Sequence, residues 1–374
     1  MTHTHEGAQE GLSPWQGVPA SLWNDWRWQM AHRLRSARKL GELVGLSEDE
    51  IRAGEMASER FPVGVTPYYA SLMSRTDRSC PIRLQSVPQA AELCVAAGEM
   101  PDPLAEDAHM PSPGLTHRYP DRALMFATHV CPTYCRHCLR RRKVGDHNAA
   151  PSRPAWEAAF DYLEHTREIR DVIVSGGDPL CLSDRRLVDI LRRLRAIPHV
   201  EIIRVATRCP ATLPQRITAG LAAAMARFAP IYLLTQFNHP AECTPEAANA
   251  LALLADAGLV LANQMVLLAG VNDNVESVRR LNHWLLAHRC WPYYIHQCDA
   301  AEGIRHFRTP VARGIQIIEG LRGHTSGLAV PHYVVDLPGG GGKVSMQPDY
   351  LLDRSKTTLT FRSFSGGSYT CQDG

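Results

Sequence analysis

The sequence predicts an α/β chain built on a full or partial βα barrel, with a helical region before it and a short tail after it. Two observations predict this. Between about residues 123 and 336, short apolar runs alternate with longer helical stretches, at the roughly 30-residue spacing of parallel strands joined by right-handed crossovers. The residues least suited to a packed core (Gly, Cys, His and Asp) fall directly after the apolar runs. In a barrel that is the end where loops assemble a site. Six such units suit a barrel; an open doubly wound sheet has the same alternation and is the alternative.

The first 20 or so residues are polar and loose. Leu22 to about Leu46 reads as an amphipathic helix rich in Trp and Arg, and a helical, proline-punctuated stretch continues to about Asp107. The segment HMPSPGLTHRYPDR reads as a turn-rich linker. Candidate strands follow at Ala123–Val130, Asp171–Ser175, Glu201–Thr207, Ile231–Phe237, Leu259–Leu268 and Pro292–Cys298. Helical stretches lie near 154–168, 183–196, 213–228, 244–257, 275–289 and 310–324, before a last strand at His332–Asp336. The expected division is a helical region (1–107), a barrel (108–345) and a tail (346–374).

Bulk composition narrows the function classes. The 374 residues are 45% apolar and 21% charged, ordinary for a globular protein. A formal charge of +2 gives no push toward nucleic acid or a membrane surface. No run reaches the length of a membrane span, and MTHTHEGAQEGLSPW lacks the apolar core of a secretory signal. The expected location is the cytoplasm. There are eleven cysteines; an odd number in such a chain argues against a disulfide framework. Most are scattered and read as small buried hydrophobes, but Cys131, Cys135 and Cys138 are crowded together.

Those three form C-x3-C-x2-C directly after a strand. Three thiolates can hold three irons of a 4Fe–4S cluster and leave the fourth open. Structural zinc would take four closed ligands, and the adjacent His137 is poorly placed to supply one. SGGDP (Ser175–Pro179) puts two glycines after a strand, where backbone can come close to a ligand. In LPGGGGKVSMQP, Lys343 follows Gly339–Gly342. A lysine there could form a Schiff base with an aldehyde cofactor, or could lie on a flexible loop. A phosphate loop would need Ser or Thr next, and Val344 follows instead.

The string CPTYCRHCLRRR, with Tyr134 before the second cysteine, resembles the lysine 2,3-aminomutase branch of the radical S-adenosylmethionine enzymes. WNDWRWQ, VTPYYASL, GLTHRYPDR, FNHP and PGGGGK carry the resemblance along nearly the whole chain after residue 20. It implies a partial (β/α)6 barrel of the radical S-adenosylmethionine type, with a 4Fe–4S cluster on Cys131, Cys135 and Cys138. It assigns S-adenosylmethionine to Ser175, Gly176, Gly177, Asp178 and Gln264. It gives pyridoxal phosphate to Lys343, with Arg118 and Arg122 on the phosphate. It gives the substrate carboxylate to Arg140, and the distal ammonium of a basic amino acid to Asp299 and Asp336.

The implied reaction moves the α-amino group of L-lysine to the β-carbon. Arginine in the same mechanism, or a non-catalytic iron–sulfur sensor, are the alternatives; a sensor would have no use for Lys343. An electron donor such as flavodoxin or ferredoxin and a homo-oligomer are expected, with no nucleic-acid or membrane partner. The chain departs from the family at Gln236, where histidine is usual, and at Ala269, where arginine is usual. Its tail holds a single cysteine, Cys371, unlike the cysteine-rich tails of clostridial relatives.

Overall fold

The computed structural model describes residues 14–146 and 151–373. Helices come first: α1 (Ala20–Trp23), α2 (Trp26–Ala31), α3 (Ala37–Leu43), α4 (Glu48–Arg60), α5 (Pro67–Ser71) and α6 (Pro81–Ser86). The single helix expected over 22–46 is thus three short ones. Asp25 and Ser36 break it, because each turns its side chain onto a backbone amide (of Arg27 and of Lys39) and starts a new helix instead of continuing the old one. α4 opens with a full capping box between Ser47 and Glu50.

The barrel strands are β1 (Leu115–Tyr119), β2 (Arg122–Thr128), β3 (Asp171–Gly176), β4 (Ile202–Thr207), β5 (Ile231–Thr235), β6 (Val260–Leu267), β7 (Cys290–Gln297), β8 (His332–Leu337) and β9 (Gly342–Met346). They form one sheet in chain order. β2 through β8 are parallel, while β1 and β9 run antiparallel at its two edges. The crossover helices are α7 (Arg153–His165), α8 (Asp184–Ala196), α9 (Cys209–Thr212) with α10 (Ala219–Ala226), α11 (Pro245–Asp256), α12 (Val275–Ala287) and α13 (Val311–Leu321). The six βα units and their closing strand follow the expected alternation.

Two segments were hidden from that reading. The supposed linker contributes β1, hairpinned onto β2 through Pro120 and Asp121. The 346–374 tail folds into an antiparallel sheet of β10 (Leu351–Arg354), β11 (Thr358–Arg362) and β12 (Ser368–Gln372). Both are short, half-exposed or exposed strands without a clean apolar alternation, the pattern on which a strand is recognised.

Local chemistry sets the helix starts. Ser152, Ser183, Thr218, Thr244 and Asn274 each cap a barrel helix with a side-chain oxygen. On α8, Leu187, Ile190, Leu191 and Leu194 recur at helical spacing and are buried; each contributes about 1.5–3 kcal/mol by leaving water. They meet the outer faces of the strands, where Val172, Val174, Ile203, Val205, Ile231 and Leu233 complete the main core.

Successive strand residues point to opposite faces, and the inner face is different. It carries Ser175, Arg204, Gln236, Gln264, Tyr294, His296 and Asp336, which line a cavity. Ile173, Ala206, Leu234 and Val266 share that lining, so the barrel interior is an open chamber of apolar wall set with polar groups and not the packed interior of a closed eight-stranded barrel.

Candidate active site

The cavity has a volume of about 360 Å³, within the range of small-molecule sites. Every residue assigned to the cluster, a cofactor or the substrate lines it: Cys131, Cys135, Cys138, Ser175, Gly176, Gly177, Asp178, Gln264, Arg118, Arg122, Arg140, Asp299, Asp336 and Lys343. Segments more than 200 residues apart in sequence are brought together by the strand order.

The cysteine loop leaves β2 and is gripped from outside the barrel. Arg33 Nη1 donates to the Cys131 carbonyl at 2.5 Å, the Tyr134 amide to Gly64 at 2.8 Å, and the Arg136 amide to Gln85 at 2.9 Å. The helical region thus shapes the loop directly. Beneath it, the fully buried Glu92 binds Arg136, with Nε–Oε1 2.9 Å, and Arg141. All three cysteines are free thiols. Burial pushes Cys131 well above the ordinary thiol range, and burial together with Cys135 takes Cys138 to about 11. Thiolates here require a metal's positive charge.

The SGGDP loop packs against the cysteine loop. Gly176 has φ +114°, and a Cβ on Gly177 would stand 2.5 Å from the Val130 carbonyl. The glycines are explained first by this contact of backbone with backbone. Asp178 is buried, and its oxygens are taken by Leu180 N (3.0 Å), Thr207 Oγ1 (2.7 Å) and Arg208 N (2.7 Å). It ties β3 to β4 and does not reach into the cavity with a spare oxygen. Thr133 and Thr235, both cavity-lining, hold buried hydroxyls with no protein partner, as expected where a polar ligand is to sit.

Also lining the cavity, Lys343 lies on β9, not on a flexible loop. Gly339, Gly340 and Gly342 turn the chain at φ +66°, +86° and +88°, leading β8 back into β9. Lys343 Nζ stands 2.8 Å from Asp336 Oδ1, which Arg118 Nη2 also approaches at 3.4 Å. His296 Nδ1 is 3.4 Å from the other oxygen. Burial alone would push Asp336 up, but His296 and Lys343 outweigh it and hold the carboxyl well below the usual range. Asp299 has no such escort: burial and the neighbouring Asp336 push it up to about 7. Arg118 and Arg122 both lie over the Tyr119 ring, their guanidinium carbons 4.9 and 4.7 Å from its centroid.

Arg140 is already forked onto a carboxylate. Its Nε and Nη2 reach Glu106 Oε1 at 2.9 and 2.6 Å, leaving Nη1 outside that fork. Nothing in the helical-region sequence marked Glu106 for this. His296 and Arg208 were also missed. Their signals were a polar residue at an inward position of β7, in YYIHQ, and an arginine opening the TRCP loop after β4. Asn272 and Asn274, which follow β6 at the same barrel end, are structural. Asn272 ties Leu268 N at 2.7 Å, and Asn274 caps α12.

The donor set fits the groups implied by the sequence: three free thiols, one lysine, Arg118 and Arg122, and two unpartnered hydroxyls line the same cavity. Among the described residues no helix is long and apolar enough to cross a membrane. A family model described as "Radical SAM superfamily" matches residues 125–281, and one described as "Lysine-2,3-aminomutase" matches 318–373. The L-lysine 2,3-aminomutase of Fusobacterium nucleatum is 50% identical over 92% of this chain and 81% of its own length. That of Bacillus subtilis is 47% identical, over 94% and 75%. The glutamate 2,3-aminomutase of Clostridioides difficile is 39% identical, over 94% and 83%. With thiols, lysine and paired aspartates in one chamber and such relatives along its whole barrel, the chain belongs to the lysine 2,3-aminomutase family of radical S-adenosylmethionine enzymes.

Proposed function

We propose that this chain moves the α-amino group of L-lysine to the β-carbon, with pyridoxal phosphate as its second organic cofactor. The observation that carries the reading is the pair Asp299 and Asp336, two carboxyls in the same chamber as Lys343 and the cysteines. A chamber with two buried carboxyls favours a substrate whose side chain is a cation and opposes an anion.

The bound groups supply a radical initiator, a one-electron source and an imine-forming aldehyde. The chain's residues have positional tasks. Cys131, Cys135 and Cys138 hold the cluster, while Ser175, Gly176, Gly177 and Gln264 face S-adenosylmethionine. Asp178 serves that site by fixing the loop. Arg118 and Arg122 take the phosphate end of pyridoxal phosphate, and Lys343 Nζ its aldehyde end. Arg140, steered by Glu106, meets the substrate carboxylate through Nη1. Asp336 Oδ1, now shared by Lys343 and Arg118, accepts the substrate ammonium once both have turned to other partners. The electron comes from a carrier of flavodoxin or ferredoxin type.

The test is anaerobic incubation of the reconstituted enzyme with lysine, arginine, ornithine and glutamate in separate reactions, resolved by mass spectrometry. β-Lysine is the expected product. β-Arginine alone would move the substrate within the same mechanism, and β-glutamate would refute the role of the aspartates.

A pH dependence follows from Asp299. With its carboxyl at about 7, it is neutral below that pH and an anion above it. Only the anion holds an ammonium. The kcat/KM for lysine should therefore climb about tenfold per pH unit below 7 and level off above it. Asp299→Asn should flatten this limb; an unchanged profile in the variant would assign the limb to another group.

A further inference from the structure

We infer that Arg208 is a positioning residue for the cluster, donating a charged hydrogen bond to the Cys135 sulfur and so raising the cluster's reduction potential. The inference rests on the assignment of Cys135 as a cluster ligand. Arg208 Nη1 lies 2.7 Å from Cys135 Sγ. Neither Cys131 nor Cys138 has a comparable donor among the side-chain contacts of the described residues.

The guanidinium is held there by a buried cradle. Its Nη2 donates to Glu242 Oε1 (2.6 Å) and Gln85 Oε1 (2.6 Å), with Tyr69 OH also within reach at 3.0 Å. Glu242 is fully buried and accepts in turn from Tyr69 OH at 2.6 Å and the His239 amide at 3.0 Å. The backbone is fixed as well, since Arg208 N donates to Asp178 Oδ2 at 2.7 Å. The elements that contribute are α5, α6, the β4 loop and the β5 loop. Together with Asp178 of the β3 loop they fix the backbone and Nη2, which leaves Nη1 directed at the sulfur and Nε without a partner.

Hydrogen bonds to cluster sulfurs and nearby charge set the potential of an iron–sulfur centre. A fixed cation with an N–H aimed at a thiolate favours the form with one more electron. Glu242 offsets the charge of Arg208 through Nη2, while Nη1 is the nitrogen that meets the sulfur, so the donor acts directly on Cys135. Removing the arginine should therefore make the cluster harder to reduce.

The experiment uses the full chain, reconstituted anaerobically. Iron and sulfide content are measured first, then the cluster is titrated potentiometrically with spin-resonance detection. Arg208→Gln leaves Glu242 buried and unpaired, so the double variant Arg208→Gln/Glu242→Gln removes both charges together, and Arg208→Lys keeps the charge without the fork. At the potential that half-reduces wild type, the double variant should show about a tenfold lower ratio of reduced to oxidised cluster, equivalent to about 59 mV for one electron. The lysine variant should fall between them. Cluster-loaded variants that titrate with wild type would overturn the inference. Loss of iron from all three variants would overturn it too, by making Arg208 a structural residue. A wild-type chain that builds no cluster would instead refute the assignment of the cysteines.

Discussion

Replacing Lys343 with alanine is expected to abolish the visible absorbance of a lysine-bound pyridoxal phosphate and to lower turnover by about 10³–10⁴-fold, the scale seen when one member of a catalytic unit is removed. Lys343 is the only lysine lining the chamber among the described residues, so no neighbour can form the imine in its place. Its second task, the 2.8 Å ion pair with Asp336, is separable. Lys343→Arg keeps a cation beside Asp336 but offers no amine for a Schiff base. Both variants should lose the absorbance, and borohydride reduction of wild type should fix the cofactor's mass to the peptide that carries Lys343. Absorbance retained in either variant would refute the assignment.

The largest stability effect is expected at Glu92, far from any reacting atom. This carboxylate is fully buried between Arg136 and Arg141, themselves nearly buried. Burial would raise its pKa, but the two guanidiniums outweigh that and hold it below the ordinary value. Glu92→Gln keeps the shape and leaves two buried cations without a counter-charge, which should destabilise the fold by about 3–5 kcal/mol. The denaturant midpoint should drop, and iron should be lost more readily, because Arg136 and Arg141 flank Cys135 and Cys138. The sign with pH is fixed by the lowered pKa. Stability from Glu92 is present above the usual glutamate range and is lost as pH falls through its folded value. A variant as stable as wild type would show that the cysteine loop is braced elsewhere.

What the sequence disclosed followed the strength of its periodic signals. The parallel strands and their helices were legible because Val172, Val174, Ile203 and Val205 recur at every second position, facing regularly spaced leucines such as those of α8. The cysteine triplet was legible from spacing alone, and Lys343 from four glycines read beside a family resemblance. β1 and β9 were not, since a linker rich in Pro and Gly and a glycine run both read as breakers of structure. The bracing groups were out of reach for a different reason. Glu92, Glu106 and Glu242 are single acids in unremarkable segments, and only the fold brings them to Arg136, Arg140 and Arg208. A sequence shows a ligand's spacing; it does not show who holds the ligand still.

The two edges of the main sheet meet without pairing. Between all other neighbouring strands the wall is a ladder of peptide hydrogen bonds, indifferent to which side chains hang from it. At this boundary Arg118 of β1 reaches Asp336 of β8, Tyr119 lies beside Gly342 of β9, and the Gly339 amide of the β8–β9 turn donates to the Pro103 carbonyl ahead of β1 at 3.1 Å. Elsewhere, a substitution on the inner face changes the lining and leaves the circumference as it was. At positions 118, 119, 336 and 342 it changes the circumference itself, beside the lysine on which the chemistry is proposed to turn. A family that needed to accept a longer or differently charged side chain would find its most adjustable dimension there, in a boundary that mutation can redraw without unpicking a single strand.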